Sequence, residues 1–247
     1  MPKVSIPVNI PSWIHKPLRG VKRALAKPPV LPNIWGDREI EYSFIVAHMP
    51  AGPGRALDFG SGASYLTLVA ARRGFEAVAL DLEPQSFWWK HEGVRFVTAD
   101  LLTVDMPNES LDLVTNCSAV EHVGLVGRYG VSEARMDGDF QVMERLRSLL
   151  KPGGAMLLTI PCGQDSVFVP THRVYGEKRL PQLLNGYAIE KEEYWVKDSG
   201  NKWNVCDRKT ALQFEPRPDF ARPVDCSYAL ACFVLRKPHA SSARPSI

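Results

Sequence analysis

Three carboxylates stand out in this sequence because each one ends a short apolar run: Asp58, Asp81 and Asp100. Apolar runs that alternate with helical segments predict parallel strands, and the carboxyl ends of such strands meet at one edge of a sheet. Acids at that edge suit a ligand that carries adenosine. One acid can face an amino-acid group, one the ribose hydroxyls and one the adenine amine.

A glycine turn follows the first of these acids, in the segment Asp58-Phe-Gly-Ser-Gly-Ala-Ser64. Gly60 and Gly62 carry no side chain, so a ligand can approach the backbone closely there. A D-x-G-x-G segment alone has low specificity, because many strand-to-helix turns bind nothing. The two acids downstream favour a ligand site over the alternative, a Rossmann-like domain whose acids only cap helices.

A second group of reactive side chains, Glu121, His122 and His172, follows two later apolar runs. A histidine with a pKa of about 6.5 can remove a proton from a hydroxyl at neutral pH. The same three side chains can instead hold a divalent cation, which acidifies a bound hydroxyl. We expect all three to be catalytic, and a second hypothesis is that they also bind a metal ion. A further alternative gives the substrate contact to Arg173 and Tyr175 in place of His172.

The elements that must position these residues alternate along the chain. Predicted strands lie at 55–59, 76–81, 94–99, 111–117 and 155–160, and predicted helices at 37–48, 64–73, 84–90 and 139–150. This alternation predicts an α/β fold with a doubly wound, mostly parallel, seven-stranded Rossmann-like sheet that has helices on both faces.

The chain after Pro161 follows a different pattern. Strand-like segments at 187–196 and 227–236 are separated by a polar loop instead of a crossover helix. They predict an antiparallel pair at the sheet edge, and therefore an antiparallel last strand. A short helix is expected near 176–184.

The predicted domain organisation has one folded domain between two terminal segments. These parts are a basic N-terminal arm (1–36), a single domain (37–237) with a cofactor half (54–161) and acceptor-side loops and late strands (162–237), and a disordered tail (238–247).

Composition indicates a soluble globular protein. The 247 residues are 45% hydrophobic and 23% charged, with a net charge of +3. Five scattered cysteines without a C-x-x-C pair favour reduced thiols over a disulfide framework. No run has the length and apolarity of a membrane span or a signal-peptide core. We expect a cytoplasmic protein.

The arm at residues 1–36 contains six lysines and arginines and no acidic residue. Apolar residues at helical spacing over 12–26 make it amphipathic, so it can contact an anionic membrane. The alternative is an arm that packs over the ligand site and keeps its lysines in water. We favour the packed arm because Pro17 and Gly20 weaken a helix. The sequence is also compatible with a dimer.

Residues 54–161 resemble the cofactor half of class I S-adenosylmethionine-dependent methyltransferases. The segment from Asp58 to Gly62 is similar to their first glycine motif, with Ser64 where a third glycine often stands. The resemblance implies S-adenosyl-L-methionine as cofactor. The residues that it implies for cofactor binding are Asp58, Gly60, Gly62, Asp81, Leu82, Asp100, Leu101 and Asn116.

The pair Glu121-His122 with the distant His172 is similar to two metal-assisted groups. These are the polyprenyl-quinone O-methyltransferases and the small-RNA 3′-terminal 2′-O-methyltransferases. Both carry another glutamate three residues earlier, where this chain has Ser118. A hydroxyl is a poorer ligand for a hard cation than a carboxylate. Mg²⁺ or another divalent cation is therefore implied only as an additional aid.

A longer resemblance covers residues 110–190. The segments Asp137-Gly-Asp139, Lys151-Pro-Gly-Gly154 and His172-Arg-Val-Tyr-Gly176 look like an uncharacterised methyltransferase-like family. That family occurs in nematodes and in bacterial gene clusters for surface polysaccharides. The resemblance implies a carbohydrate hydroxyl as the acceptor.

The expected function is O-methylation of a sugar or glycan precursor, with a small-molecule or oligosaccharide acceptor. One alternative is 2′-O-methylation of an RNA end, and another is a cofactor-binding module without turnover. Glu190, Glu192 and Glu193 near the late strands count against a nucleic-acid partner.

Overall fold

Short apolar runs form the parallel strands of the protein, which is described from a computed structural model. The described residues are 36–87, 89–127, 129, 131, 133–198, 202–216 and 228–239. The predicted basic arm up to residue 35 and the tail from residue 240 lie outside them. The strands are β1 (Gly54–Phe59), β2 (Phe75–Asp81), β3 (Val94–Thr98), β4 (Leu111–Cys117), β5 (Leu150–Cys162), β6 (Ser166–Phe168), β7 (His172–Val174), β8 (Ala188–Lys197), β9 (Trp203–Cys206) and β10 (Ala229–Arg236).

Eight of these strands form one sheet within the described part of the chain, in the order β3-β2-β1-β4-β5-β10-β8-β9. Strands β1 to β5 pair in parallel, and β10 is antiparallel to both of its neighbours. Strands β6 and β7 form a separate antiparallel hairpin. The α/β architecture with a mostly parallel sheet and an antiparallel last strand is therefore confirmed.

The helices are α1 (Asp37–His48), α2 (Leu66–Arg72), α3 (Gly138–Leu149), α4 (Arg179–Leu183) and α5 (Arg208–Leu212), with a 3-10 turn at Val120–His122. Alternation along β5 places apolar side chains on both faces of the sheet. Met156 and Leu158 lie in the cluster that contains the apolar side of α3. Ala155 and Leu157 lie in the cluster that contains α1 and α2. The core thus has two layers, one on each side of the sheet.

The sheet has one strand more than predicted. Strand β9 folds back on β8, with Trp203 opposite Lys197. Trp203 is buried, and the Lys197 ammonium lies 5.0 Å from the centre of its ring. The antiparallel pairing of β8 with β10 is as predicted, but β9 occupies the edge and the pair lies inside the sheet. The sequence does not predict β9, because it lies within the polar segment that predicts a loop.

The predicted helix at 84–90 is wrong, because no helix occurs among the described residues between β2 and β3. Phe87 and Trp89 both contact Phe96 of β3. The centre of the Phe96 ring lies 4.3 Å from that of Phe87 and 5.5 Å from that of Trp89. A two-residue spacing on one side is typical of extended chain. The aromatic residues therefore pack on the edge strand and do not line the cavity described below.

No helix among the described residues has both the length and the apolar character that a membrane span requires.

Candidate active site

A cavity of about 850 Å³ opens at the carboxyl ends of the parallel strands. The turns after β1, β2, β3 and β4 supply most of its wall. This is the edge of a doubly wound sheet where ligands bind. The predicted site residues that line the cavity are Asp58, Gly60, Gly62, Asp81, Leu82, Asp100, Leu101 and His122.

Asp58 lies under the glycine turn and is almost fully buried, at 3% exposure. Its carboxylate accepts hydrogen bonds from the hydroxyls of Thr67 at 2.6 Å and Thr115 at 2.7 Å. Burial raises the pKa of Asp58, and these hydrogen bonds act in the opposite direction. The residue ties the start of α2 to β4, and so holds the turn between them in place.

Gly60 and Gly62 both adopt left-handed backbone angles, with φ of +63° and +49°. A Cβ atom on Gly60 would lie 2.4 Å from the Cβ of Ala119. A Cβ atom on Gly62 would meet no atom within 4 Å. Gly60 therefore allows two turns to pack, whereas Gly62 opens onto the free space of the cavity.

Asp81 and Asp100 stand at the ends of β2 and β3, partly exposed. The Asp81 carboxylate accepts the backbone N–H of Gly62 at 2.8 Å, and thus joins the ends of β1 and β2. Asp100 accepts the N–H of Leu102 at 2.9 Å and lies 3.6 Å from the guanidinium of Arg135. Backbone groups therefore orient both carboxylates at the cavity wall.

His122 ends the 3-10 turn after β4, and its side chain is 19% exposed. Its Nδ1–H donates to the carbonyl oxygen of Thr171. Because a carbonyl can only accept, Nδ1 carries the proton and Nε2 is the nitrogen that can take one up. Nε2 lies 3.6 Å from Oε1 of Glu121, and the ring lies edge-on to Tyr129 at 5.2 Å.

Glu121 lies behind His122 and outside the cavity wall, at 1% exposure. Burial raises its pKa to about 8, and the nearby charge of Glu41 acts in the same direction. Its Oε2 has no hydrogen-bond partner among the described residues. At neutral pH the carboxyl is therefore mainly protonated, which does not suit a general base.

Asn116 and His172 also lie outside the cavity wall. Asn116 is fully buried, and its Oδ1 accepts the N–H of Val120 at 3.3 Å, which shapes the 3-10 turn. The ring of His172 lies between those of Phe168 and Tyr228, with centroids 5.5 and 5.3 Å away.

The three predicted metal ligands do not form a set. Glu121 is buried outside the cavity wall, and His172 packs against the rings of Phe168 and Tyr228. Across the described ranges, no three His, Cys, Asp or Glu side chains come together in a way that could hold a metal ion. These three residues, as placed, therefore do not fit a divalent cation.

The alternative prediction that Arg173 and Tyr175 contact the substrate is wrong, because both residues are buried. Both side chains are completely buried, and neither lines the cavity.

Glu41 on α1 is a site residue that sequence reasoning missed. It is completely buried at the ends of β4 and β5. It accepts hydrogen bonds from the hydroxyls of Ser118 and Thr159, the latter at 2.9 Å, and from Arg38 at 2.6 Å. This anchors α1 beside the cavity, where Arg38 and Tyr42 form part of the wall. A carboxylate within the apolar stripe of an amphipathic helix was the available signal.

Comparisons of the sequence with known proteins find one family. A family model described as Caenorhabditis protein of unknown function, DUF268, matches residues 99–210. No curated protein matches the sequence significantly. The predicted likeness to a nematode family is confirmed.

Solved structures with a similar fold include two methyltransferases with bound S-adenosylhomocysteine. One is the 1,6-didemethyltoxoflavin-N1-methyltransferase of Burkholderia thailandensis, 18% identical, covering 96% of this chain and 94% of its own, with a TM-score of 0.55. The other is the N-methyltransferase NodS of Bradyrhizobium japonicum, which is 12% identical to this chain. The match covers 90% of this chain and 98% of NodS, with a TM-score of 0.53.

The [4+2]-cyclase SpnF is similar to the same extent, 13% identical over 92% of this chain and 93% of its own, with a TM-score of 0.55. The chain therefore has the class I S-adenosylmethionine-dependent methyltransferase fold. One fold hosts more than one reaction, so the residues of the site determine the chemistry.

Proposed function

We propose that the protein transfers a methyl group from S-adenosylmethionine to a hydroxyl of a carbohydrate or glycan precursor, with His122 as general base. The observation that carries this proposal is the shared cavity. The acids at the ends of β1, β2 and β3 and the imidazole of His122 line one continuous space.

The residues present fit the cofactor. Gly62 leaves open space at the wall, and a side chain there would intrude on a bound ligand. Asp81 and Asp100 supply oriented acceptors for hydroxyl and amine groups, and Leu101 supplies a buried apolar contact. When bound, S-adenosylmethionine supplies an electrophilic methyl group on a positively charged sulfur.

His122 would take the proton that the acceptor hydroxyl loses as its oxygen bonds to the methyl carbon. The carbonyl of Thr171 fixes the proton on Nδ1, so that Nε2 has the lone pair for this step. The methyl group would leave the cofactor's sulfur as it bonds to the acceptor oxygen, so the products would be a methyl ether, S-adenosylhomocysteine and a proton held on Nε2 of His122.

Aromatic and guanidinium groups support a sugar-type acceptor. Tyr42, Tyr129, Arg38 and Arg135 line the cavity together with His122. Aromatic rings present apolar faces to the C–H groups of a sugar, and guanidinium groups donate to its hydroxyls.

A nitrogen acceptor is the second candidate, because two structures with the same fold are named N-methyltransferases. A neutral amine already has a lone pair, so its methylation depends less on a general base. The two candidates therefore differ in how much activity remains without His122.

The test is incubation with S-adenosylmethionine labelled in its methyl group and separate polysaccharide, RNA, lipid and amine fractions, with His122→Ala in parallel. We expect label in the polysaccharide fraction as an ether, and its loss in the variant. Label in amines that survives His122→Ala would support the second candidate. Label in RNA, or none at all with S-adenosylhomocysteine still binding, would contradict the proposal.

A further inference from the structure

A completely buried arginine lies directly behind the site. Arg173 on β7 has no exposed surface, which is rare for this residue type unless its charge is paired. Its guanidinium donates to the carbonyl oxygens of Val123 at 2.6 Å, Arg135 and Met136 at 3.2 Å each, and Glu121 at 3.3 Å.

The positions of these four carbonyls define what the arginine holds. Glu121 and Val123 are the residues on either side of His122. Arg135 and Met136 lie further along the chain, where the segment that lines the cavity reaches α3. A planar guanidinium can bind both segments at once, because its five N–H groups point in fixed directions.

A buried carboxylate balances the charge. Asp139, in the first turn of α3, is completely buried and lies 3.8 Å from Nε of Arg173. It also accepts hydrogen bonds from the Tyr175 hydroxyl at 3.1 Å and from Arg179 at 2.7 Å. The guanidinium of Arg173 is therefore paired with a carboxylate in the interior, where its hydrogen bonds to carbonyls are strong.

The same strand region also sets the ring of His122. The Thr171 carbonyl that accepts from Nδ1 lies two residues before Arg173. Residues 171–173 thus hold His122 twice, by its imidazole and by the carbonyls on both sides of its backbone. The middle residue, His172, packs away from the cavity between aromatic rings.

We propose that Arg173 is the positioning residue for His122: it holds the backbone on both sides of His122, so that the Nδ1–H of the general base stays on the Thr171 carbonyl and its orientation and tautomer are fixed. The catalytic meaning of this arrangement rests on the proposed function. The arrangement itself does not, so the two can be tested apart.

The experiment compares Arg173→Met and Arg173→Lys with a matched control, Arg145→Met, in the full chain. Arg145 also binds a loop carbonyl, that of Met106 at 2.7 Å, but outside the cavity wall. Three readouts are needed: S-adenosylhomocysteine affinity by calorimetry, amide hydrogen exchange, and the His122 tautomer from ring ¹⁵N shifts, assigned with His122→Ala.

We expect Arg173→Met to speed amide exchange over residues 119–136 at least about tenfold, because these amides then open locally. A second tautomer of His122 should appear, while S-adenosylhomocysteine affinity changes less than about threefold because the cofactor contacts lie elsewhere. Arg145→Met should leave the His122 signals unchanged.

An unchanged tautomer and unchanged exchange over residues 119–136 in Arg173→Met would overturn the positioning role. If that variant does not fold, Arg173→Lys decides, since it keeps a cation beside Asp139 but loses the planar fork. A wild-type His122 signal in Arg173→Lys would then overturn the role. Failure of the wild-type protein to bind S-adenosylhomocysteine would contradict the proposed function. The tautomer and amide-exchange measurements would still test the positioning role, because they do not require a bound cofactor.

Discussion

His122 and Glu121 are adjacent in sequence and yet have different chemistry, because one lines the cavity and the other is sealed behind it. We predict that His122→Ala lowers turnover at least about 100-fold, since a positioned base typically contributes this much. S-adenosylhomocysteine affinity should change little, because the carboxylates at the strand ends remain. Initial rates with labelled cofactor and calorimetry check the two parts. A variant with the wild-type turnover number would remove His122 from the mechanism.

Glu121 leads to a prediction about stability and pH. Its pKa is about 8 in the folded protein, against an ordinary value of 4.5. Between these values the unfolded chain has lost the proton and the folded protein keeps it. The unfolded state therefore binds fewer protons, and the free energy of unfolding falls as the pH rises, by up to about 1.4 kcal/mol per pH unit.

Glu121→Gln should remove this slope, because an amide has nearly the shape of the protonated carboxyl and does not ionise. Relative to wild type, the variant should gain stability progressively from pH 4.5 to 8, with no further gain above that. Urea unfolding at pH 5, 6.5 and 8 measures the difference. Parallel pH profiles for the two proteins would show that Glu121 has an ordinary pKa.

At the scale of elements, the two glycines in the turn between β1 and α2 have different roles: Gly60 serves packing, and Gly62 serves ligand contact. Gly60→Ala should cost about 3 kcal/mol, because overlap of the new methyl with Ala119 adds about 2 kcal/mol of overpacking to about 1 kcal/mol for the left-handed backbone. Gly62→Ala should cost only about 1 kcal/mol for its left-handed backbone. It should weaken S-adenosylhomocysteine binding more than tenfold, however, because its methyl enters the cavity.

Thermal unfolding and calorimetry on the two glycine variants provide the comparison. Gly60→Ala is the less stable variant in this account, and Gly62→Ala is the weaker binder per folded molecule. Tight binding by Gly62→Ala would place the cofactor somewhere other than against this turn.

Elements with strong periodicity could be predicted from the sequence. The helix at 37–48 has the bounds of α1, and the five apolar runs before Pro161 became β1 to β5. The helix at 84–90 failed because aromatic residues pack on a strand as readily as on a helix face. Strand β9 was missed because its burial depends on Trp203 meeting Lys197 across a hairpin, which local composition does not reveal.

At the scale of the whole molecule, the acids at the strand ends could be predicted because parallel topology brings them together. The burial of Arg173 could not, since the residues whose carbonyls it binds lie 37 to 52 positions away and only the tertiary fold brings them together. The same holds for Glu41, which bonds to Thr159 across 118 residues. Buried polar groups of this kind decide which exposed residues are held in place for chemistry.

The most direct test of the central claim is a calorimetric titration of the protein with S-adenosylhomocysteine, repeated with Asp81→Asn and Asp112→Asn. Asp112 is the matched control, since it binds Lys151 and the N–H of Arg55 and does not line the cavity. We predict a dissociation constant of about 1 µM for wild type and Asp112→Asn, and at least about tenfold weaker binding for Asp81→Asn. Absence of heat with wild-type protein, or equal binding by all three, would contradict the assignment of this cavity as a cofactor site.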